Sequence, residues 1–134
     1  MNLVYHLEDI WILAQTIYGE ARGERLEGQK AVACVVMNRY KDKRWPATIA
    51  RVCKQPWQFS CWNKADPNSV LLAHLDLTDE TFRKCYAVAA FCLAEIEPDK
   101  TRGANHYHTM AVTPKWSDRS KQTALIGSHI FYKL

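Results

Sequence analysis

Three stretches of the sequence carry apolar residues at the three- and four-residue spacing of an α-helix. This spacing predicts helices over residues 7–22, 26–41 and 78–95. The third is the clearest, because Thr78 is a candidate N-cap, acidic residues follow it, and Pro98 marks its end. The turn between the first two is short, so these helices should pack as neighbours. The pattern predicts a mainly helical domain.

The middle of the chain gives weaker signals. Residues 48–53 are predicted to form a short helix, residues 66–68 a turn, and residues 69–76 fit neither pattern clearly. Residues 56–63 are interpreted as an extended segment rich in aromatic side chains. Its aromatic residues are Trp57, Phe59 and Trp62. Aromatic faces with neighbouring amides can hold a sugar, although any one of these rings could instead fill the core.

Two strands are predicted near the C-terminal end of the sequence, over residues 105–109 and 128–133. They could pair as an antiparallel hairpin, which gives an α+β fold class with a small sheet. His106 and His108 would share one face of the first strand and His129 would lie on its partner, so a zinc site is an alternative to consider. The sequence contains no helical histidine pair to support that alternative.

Two glutamates, Glu20 and Glu24, surround the predicted end of the first helix, and each directly follows a glycine. A glycine costs roughly 1 kcal/mol relative to alanine inside a helix, which is reasonable where a ligand or another backbone must come close. The structural alternative is that Glu20 is a solvated surface residue and that Gly23 only caps the helix. Glu24 could likewise do no more than stabilise the start of the second helix.

Several short motifs resemble those of the SleB/CwlJ family of spore cortex-lytic cell wall hydrolases, and they follow in order along nearly the whole chain. They are residues 18–24, Gly28-Gln29, Val32-Ala33, residues 37–39, Gln58-Phe59-Ser60, residues 103–107, Trp116 and residues 126–132. The resemblance implies a single catalytic domain over residues 1–134. Its implied fold is lysozyme-like, similar to lytic transglycosylases and resuscitation-promoting factors. It implies no metal or cofactor.

The activity that the resemblance implies is cleavage of peptidoglycan between N-acetylmuramic acid and N-acetylglucosamine. Glycosidases commonly use two carboxylates on opposite sides of the bond, but Glu20 and Glu24 on one continuous helix would project from the same side. One glutamate acting as acid and then base is the economical alternative, and the resemblance implies a product with a 1,6-anhydro sugar. Hydrolysis by a muramidase and a non-catalytic wall-binding module remain alternative functions.

The resemblance also assigns roles to individual residues. Glu20 would be catalytic, and Glu24 would tune its pKa or act second. A pKa raised by burial against Tyr18 or Trp57, or by the charge of Glu24, would keep Glu20 protonated near neutral pH. Substrate contacts would come from Tyr18, Gln58, Phe59, Ser60, His106, Tyr107 and Trp116. The sequence departs from the family pattern at Asn105, His108 and Ser128. These departures concern the details of substrate contacts and not the class of enzyme.

The length and net charge of the chain agree with a single domain that acts on the cell wall. A chain of 134 residues is the size of one domain, and its net charge of +4 would favour an anionic wall polymer. No long basic run indicates nucleic-acid binding. Residues 1–9 lack the features of a signal peptide, so we expect synthesis in the cytoplasm and action on the cell wall after release, as for a phage endolysin. We expect a monomer that does not insert into membranes.

The five cysteines lack the close pairs typical of zinc or redox motifs. Cys34 lies in an apolar run, and Cys85 and Cys92 share one helical stripe, so we interpret most of them as buried thiols that pack like small apolar residues. A disulfide between Cys53 and Cys61 is left open.

Overall fold

A computed structural model describes residues 7–134, and the expectation for residues 1–6 of the N-terminal segment lies outside this range. The helices are α1 Leu7–Ala21, α2 Leu26–Lys41, α3 Ile49–Lys54, α4 Pro67–Ala73 and α5 Glu80–Leu93. The strands are β1 His106–Thr109, β2 Gln122–Ile126 and β3 His129–Tyr132, with 3-10 turns at Ser60–Trp62 and Arg119–Lys121. The predicted fold class, mainly helical with a small antiparallel sheet, is confirmed. None of these described helices is long and apolar enough to span a membrane.

The three long helices form the main core, as their apolar stripes predicted. Helices α1, α2 and α5 contact one another pairwise, and the fully buried side chains Leu13, Ile17, Val36 and Phe82 meet there. The start of α5 differs from the prediction, because Asp79 and not Thr78 is the N-cap. The Asp79 side chain accepts a hydrogen bond from the backbone N–H of Phe82 at 2.9 Å.

The predicted turn over residues 66–68 was wrong, since this segment begins helix α4. Asp66 is the N-cap and accepts a hydrogen bond from the backbone N–H of Asn68 at 2.8 Å. Pro67 occupies the first turn of the helix, where its missing N–H has no cost. The same residues that suggested a turn therefore act as a helix start.

The predicted extended conformation of residues 56–63 was also wrong. The segment forms a turn followed by the 3-10 turn Ser60–Trp62. Its three aromatic rings have different environments. Phe59 is 2% exposed and belongs to the core, whereas Trp57 is 86% exposed. Trp62 packs at the edge of the core and donates its indole N–H to the Thr16 hydroxyl at 2.9 Å.

The sheet has three antiparallel strands in the order β1-β3-β2. The predicted pairing of β1 with β3 is confirmed, with Tyr107 opposite Phe131 and Thr109 opposite His129. Strand β2 was missed in the sequence. Its pairing with β3 is interrupted by a bulge at Thr123, which breaks the regular alternation. The sheet packs on α2 through a second cluster formed by Ala31, Val35, Ala104 and Phe131.

The register of the sheet separates the three histidines of the zinc alternative. His129 shares a face with Thr109 and Tyr107, while His106 and His108 project from the opposite face. Within residues 7–134, no cluster of histidine, cysteine or carboxylate side chains could hold a metal ion. The Cys53–Cys61 disulfide is likewise not formed, since all five cysteines are free thiols.

Candidate active site

Glu20 lies in the last turn of α1, at the point where the helix meets both the sheet and the segment around residue 61. The Tyr107 hydroxyl, on β1, donates a hydrogen bond to Glu20 Oε1 at 2.6 Å. The backbone N–H and the thiol of Cys61 also favour the charged form of Glu20. The carboxyl group is therefore held by two parts of the chain that are distant in sequence.

Gly19 makes this arrangement sterically possible. A β-carbon at this position would lie 2.5 Å from Cys61 Cβ and 2.7 Å from Cys61 Sγ. Such distances are far inside normal van der Waals contact. A close approach by a ligand or another backbone was expected at this glycine, and the group that approaches it is instead the side chain of Cys61.

The pKa of Glu20 is raised, and burial is the main cause, because it penalises the charged form. The hydrogen bonds from Tyr107 and Cys61 act in the opposite direction, and the negative charge of Asp66 adds to the increase. The exposed ring of Trp57 is not what buries this carboxyl group. A raised pKa is the property that a general acid working near neutral pH requires.

Glu24 has the opposite environment. Helix α1 ends at Ala21, so the two glutamates do not project from one continuous helix. The Glu24 carboxylate accepts hydrogen bonds from the backbone N–H and the hydroxyl of Ser128, both at 3.0 Å. These bonds, the backbone one first, lower its pKa. Gly127, with φ +58°, leaves room for this contact, because a β-carbon there would lie 2.5 Å from Glu24 Oε1.

His129 lies near Glu24 and against the ring of Tyr107, the residue that binds Glu20. It is 4% exposed, and its Nδ1 is 3.5 Å from Glu24 Oε1, which is too long for a well-formed hydrogen bond. Its ring contacts the Tyr107 ring with centroids 4.9 Å apart. Burial lowers the pKa of His129, so the ring is neutral near pH 7 and packs against the tyrosine that binds Glu20.

Gln58, Phe59 and Ser60 lie together but in different environments. Gln58 is exposed and its side-chain oxygen accepts a hydrogen bond from Arg39 Nη1 at 3.1 Å. The Arg39 guanidinium also lies over the Phe59 ring, 5.3 Å from its centroid, and Phe59 is buried below it. Ser60 is exposed and directly precedes Cys61. Gln58 and Ser60 can therefore reach a ligand, whereas Phe59 supports the segment from the core.

Tyr18 is not brought next to Glu20. Two residues correspond to a rotation of about 200° around an α-helix, so the two side chains leave α1 on different sides. The Tyr18 ring packs against Phe82 with centroids 6.4 Å apart, and the Arg22 guanidinium lies 4.8 Å above it. Its main contacts are therefore with α5 and with Arg22.

His106 and Trp116 form a separate aromatic cluster on the face of the sheet opposite Tyr107. Their ring centroids are 5.0 Å apart, and the Trp45 ring also packs against His106, with centroids 6.1 Å apart. Burial, with smaller effects from the charges of Arg39 and Arg44, lowers the pKa of His106 to about 4. His106 is thus a neutral ring at physiological pH. The structure brings Tyr107 to Glu20 but separates His106 and Trp116 from it.

Comparisons with known proteins agree with this arrangement. The sequence model of the Cell Wall Hydrolase family matches residues 23–132. The chain belongs to this family. The matched region includes Glu24 and Tyr107 and begins three residues after Glu20, so the case for Glu20 rests on its geometry.

Similar proteins of this family include curated spore cortex-lytic enzymes. That of Halalkalibacterium halodurans is 34% identical over 129 residues, which is 95% of this chain and 35% of the relative. That of Bacillus cereus is 34% identical over 131 residues, 96% of this chain and 46% of the relative. The chain therefore spans less than half the length of these relatives.

Two solved structures match the fold over 99% of the chain. One is the catalytic domain of the Bacillus cereus SleB protein, with a TM-score of 0.77, 29% identity and 95% of that domain covered. The other is the catalytic domain of the germination-specific lytic transglycosylase SleB from Bacillus anthracis, with a TM-score of 0.74, 31% identity and full coverage of that domain. The cell wall hydrolase fold predicted from the sequence is confirmed.

Three residues near the site had no assigned role in the sequence analysis: Cys61, Arg39 and Asp66. Cys61 was considered only as an apolar filler or disulfide partner, although the glycine at position 19 indicated a close neighbour. Arg39 is buried, and its Nε donates to the Asn105 carbonyl oxygen at 2.7 Å, two residues before Tyr107. Asp66 was part of the expected turn. No local pattern in the sequence connects these residues to Glu20.

Proposed function

We propose that the chain cleaves peptidoglycan glycan strands between N-acetylmuramic acid and N-acetylglucosamine as a lytic transglycosylase, with Glu20 as acid and then base. Membership of the Cell Wall Hydrolase family supports the substrate class, and the similarity to a germination-specific lytic transglycosylase supports the reaction type. The main support for the proposal is the environment of Glu20. Burial raises the pKa of this half-buried glutamate, and Tyr107 orients its carboxyl group.

The proposed reaction uses the Glu20 carboxyl group for two successive proton transfers. Protonated Glu20 donates it to the glycosidic oxygen as the bond to the muramic acid C1 breaks, which releases the N-acetylglucosamine hydroxyl. The resulting carboxylate then accepts a proton from the C6 hydroxyl of the same muramic acid, and O6 bonds to C1. Glu20 returns to its protonated form and the product has a 1,6-anhydro end. The intramolecular hydroxyl has the advantage of proximity over a bulk water.

Tyr107 contributes to the same steps. Its hydroxyl donates to Glu20 at 2.6 Å and so stabilises the carboxylate that forms when the proton leaves, while it fixes the orientation of the carboxyl group. Glu24 is a poor choice for the acid, because the bonds from Ser128 lower its pKa and keep it ionised. We propose that Glu24 instead fixes the β2–β3 turn beside the site.

Hydrolysis by a muramidase is the second candidate, and one observation favours it. The charge of Asp66 contributes to the raised pKa of Glu20, which makes Asp66 the candidate for a second carboxylate that orients an attacking water. The Asp66 carboxylate also caps α4 through Asn68. A water-activating role would have to coexist with this cap.

Purified bacterial sacculi provide the test. The chain should release soluble muropeptides with 1,6-anhydromuramic ends, identified by mass spectrometry. Free reducing muramic ends would instead favour hydrolysis, with Asp66 as the next residue to substitute. Sedimentation of the chain with sacculi without release of fragments would favour the wall-binding module and contradict an enzymatic function.

Glu20→Gln and Glu24→Gln form a matched pair for the assignment of the acid. The amide keeps the shape of the side chain but cannot transfer a proton, and general acid–base catalysis contributes about 10² to 10⁴ in rate. We expect Glu20→Gln to lose cleavage by at least this factor and to stay folded. Glu24→Gln should retain most of the activity. The reverse result would exchange the two roles.

A further inference from the structure

Trp57 lies at a turn where its side chain is nearly free of the protein, with 86% of its surface exposed. The turn runs from Gln55 to Gln58 and is closed by a hydrogen bond from the Gln58 N–H to the Gln55 carbonyl oxygen at 3.3 Å. Trp57 is its third residue and has φ +67°. A type II turn has proline second and a positive φ third, where glycine is usual. Here the sequence has tryptophan after Pro56, in a backbone conformation that strains a bulky residue.

Exposed apolar residues are common singly and need no special explanation. Phe91, for example, is 56% exposed but lies within the regular helix α5. Trp57 differs because its backbone is strained and its neighbours are fixed. Gln58 is held by Arg39, and Phe59 is buried beneath the same guanidinium. The turn is therefore anchored on its C-terminal side while the indole is presented to solvent.

The position of this turn relative to Glu20 follows from the chain itself. Cys61, four residues after Trp57, contacts Gly19 and interacts with the Glu20 carboxyl group. Four residues of chain span at most about 14 Å. Trp57 is thus within reach of a polymer that is bound at Glu20. A glycan strand is such a polymer, and the apolar face of a pyranose ring complements an indole face.

We propose that Trp57 is a glycan-binding residue outside the catalytic centre, which stacks its indole on a pyranose ring of the strand cleaved at Glu20. This inference rests on the proposed function, because the ligand is the substrate of that reaction. The side-chain amide of Gln58, the residue after Trp57, is oriented by Arg39 and can bond to sugar hydroxyl or acetamido groups.

The test uses the full chain with Glu20→Gln, which prevents cleavage, and purified peptidoglycan glycan strands freed of their stem peptides. Into this background we would introduce Trp57→Gly, Trp57→Phe and, as a matched control, Phe91→Ala. Glycine suits the positive φ, so Trp57→Gly removes the ring and relieves the strain at once. Binding is measured by calorimetry, and folding by the thermal unfolding temperature.

We expect Trp57→Gly to weaken strand binding about tenfold or more, as for loss of an aromatic anchor, with an unchanged or higher unfolding temperature. Trp57→Phe should retain part of the affinity, and Phe91→Ala should bind as the parent does. Unchanged binding by Trp57→Gly would overturn the proposal. A lower unfolding temperature together with weaker binding would overturn it too, since the ring would then be part of the fold.

The two proposals fail separately. If the natural chain binds strands without cutting them, the catalytic proposal fails, while the effect of Trp57→Gly on binding still decides the role of the ring. If the natural chain cuts strands and Trp57→Gly leaves both KM and the dissociation constant unchanged, only the role of Trp57 is refuted.

Discussion

Replacement of Tyr107 by phenylalanine should move the pH profile of the enzyme to higher pH. The hydroxyl donates to the Glu20 carboxylate at 2.6 Å, and this bond favours the charged form and lowers the pKa that burial raises. A hydrogen bond to a charged group contributes about 1.5–3 kcal/mol, and 1.4 kcal/mol is a factor of ten in an acid dissociation constant. Without the bond, Glu20 should hold its proton to a pH higher by about one unit or more.

The assay is the pH dependence of kcat/KM on solubilised glycan strands, supported by an NMR titration of the Glu20 side-chain carbon. Because Glu20 must begin protonated, activity falls as pH rises through its pKa, and this limb should move upward in Tyr107→Phe. The ring contacts with His129 and Phe131, at 4.9 and 5.7 Å, are retained by phenylalanine. A limb that stays in place or moves to lower pH would refute the reasoning.

Tyr132→Phe is the matched control for this experiment. Tyr132 lies on β3 and projects from the opposite face of the sheet. Its hydroxyl is 2.8 Å from His108 Nε2. The hydroxyl that contacts Glu20 belongs to Tyr107. This variant loses a hydrogen bond of similar length, so it should cost stability without shifting the profile.

Further predictions concern stability. Gly19→Ala should destabilise the fold by about 1–3 kcal/mol and reduce activity, because the new methyl group overlaps Cys61. Gly23→Ala is the matched control, because a β-carbon there has nothing within 4 Å. It should be neutral or stabilising in chemical denaturation. Glu24→Gln should cost about 1 kcal/mol at pH 7, and the difference should disappear in acid as pH falls through the lowered pKa of Glu24. Glu20→Gln should raise the thermal unfolding temperature at neutral and alkaline pH and have no effect in acid, because an acid with a raised pKa loses stability as it ionises; a lower unfolding temperature at pH 8 would contradict the burial argument.

The long helices were predictable because each carries one apolar stripe, which is buried in the core. The first residue of each helix was harder to predict. Thr78 and Asp79 are both favourable N-cap residues, and only the structure shows that Asp79 is the N-cap of α5. Phe59 is buried and Trp57 is exposed beside a turn in which Trp57 has a positive φ, and alternation in the sequence does not reveal such a turn.

The candidate active site was also predictable only in part from the sequence. The glycine before Glu20 gave a local signal of close approach, and the resemblance to cell wall hydrolases supplied Tyr107. The contact between these residues joins positions 87 apart in sequence. No periodicity reports such a contact. The role of Cys61 depends on the path of the chain between α3 and α4, which has no regular pattern.

The link between Glu20 and Tyr107 also has a consequence for the order of folding. Helices α1 and α2 can pair through local contacts, but β1 is held in the sheet only by β3, the last strand of the described chain. Contacts between positions far apart in sequence form late, because they require closure of a long loop. We expect Glu20 to lack part of its burial, and therefore part of the increase in its pKa, until β3 docks. Its raised pKa would then be a reporter of the final folding step, and intermediates that contain only the helices would be unable to cut the wall.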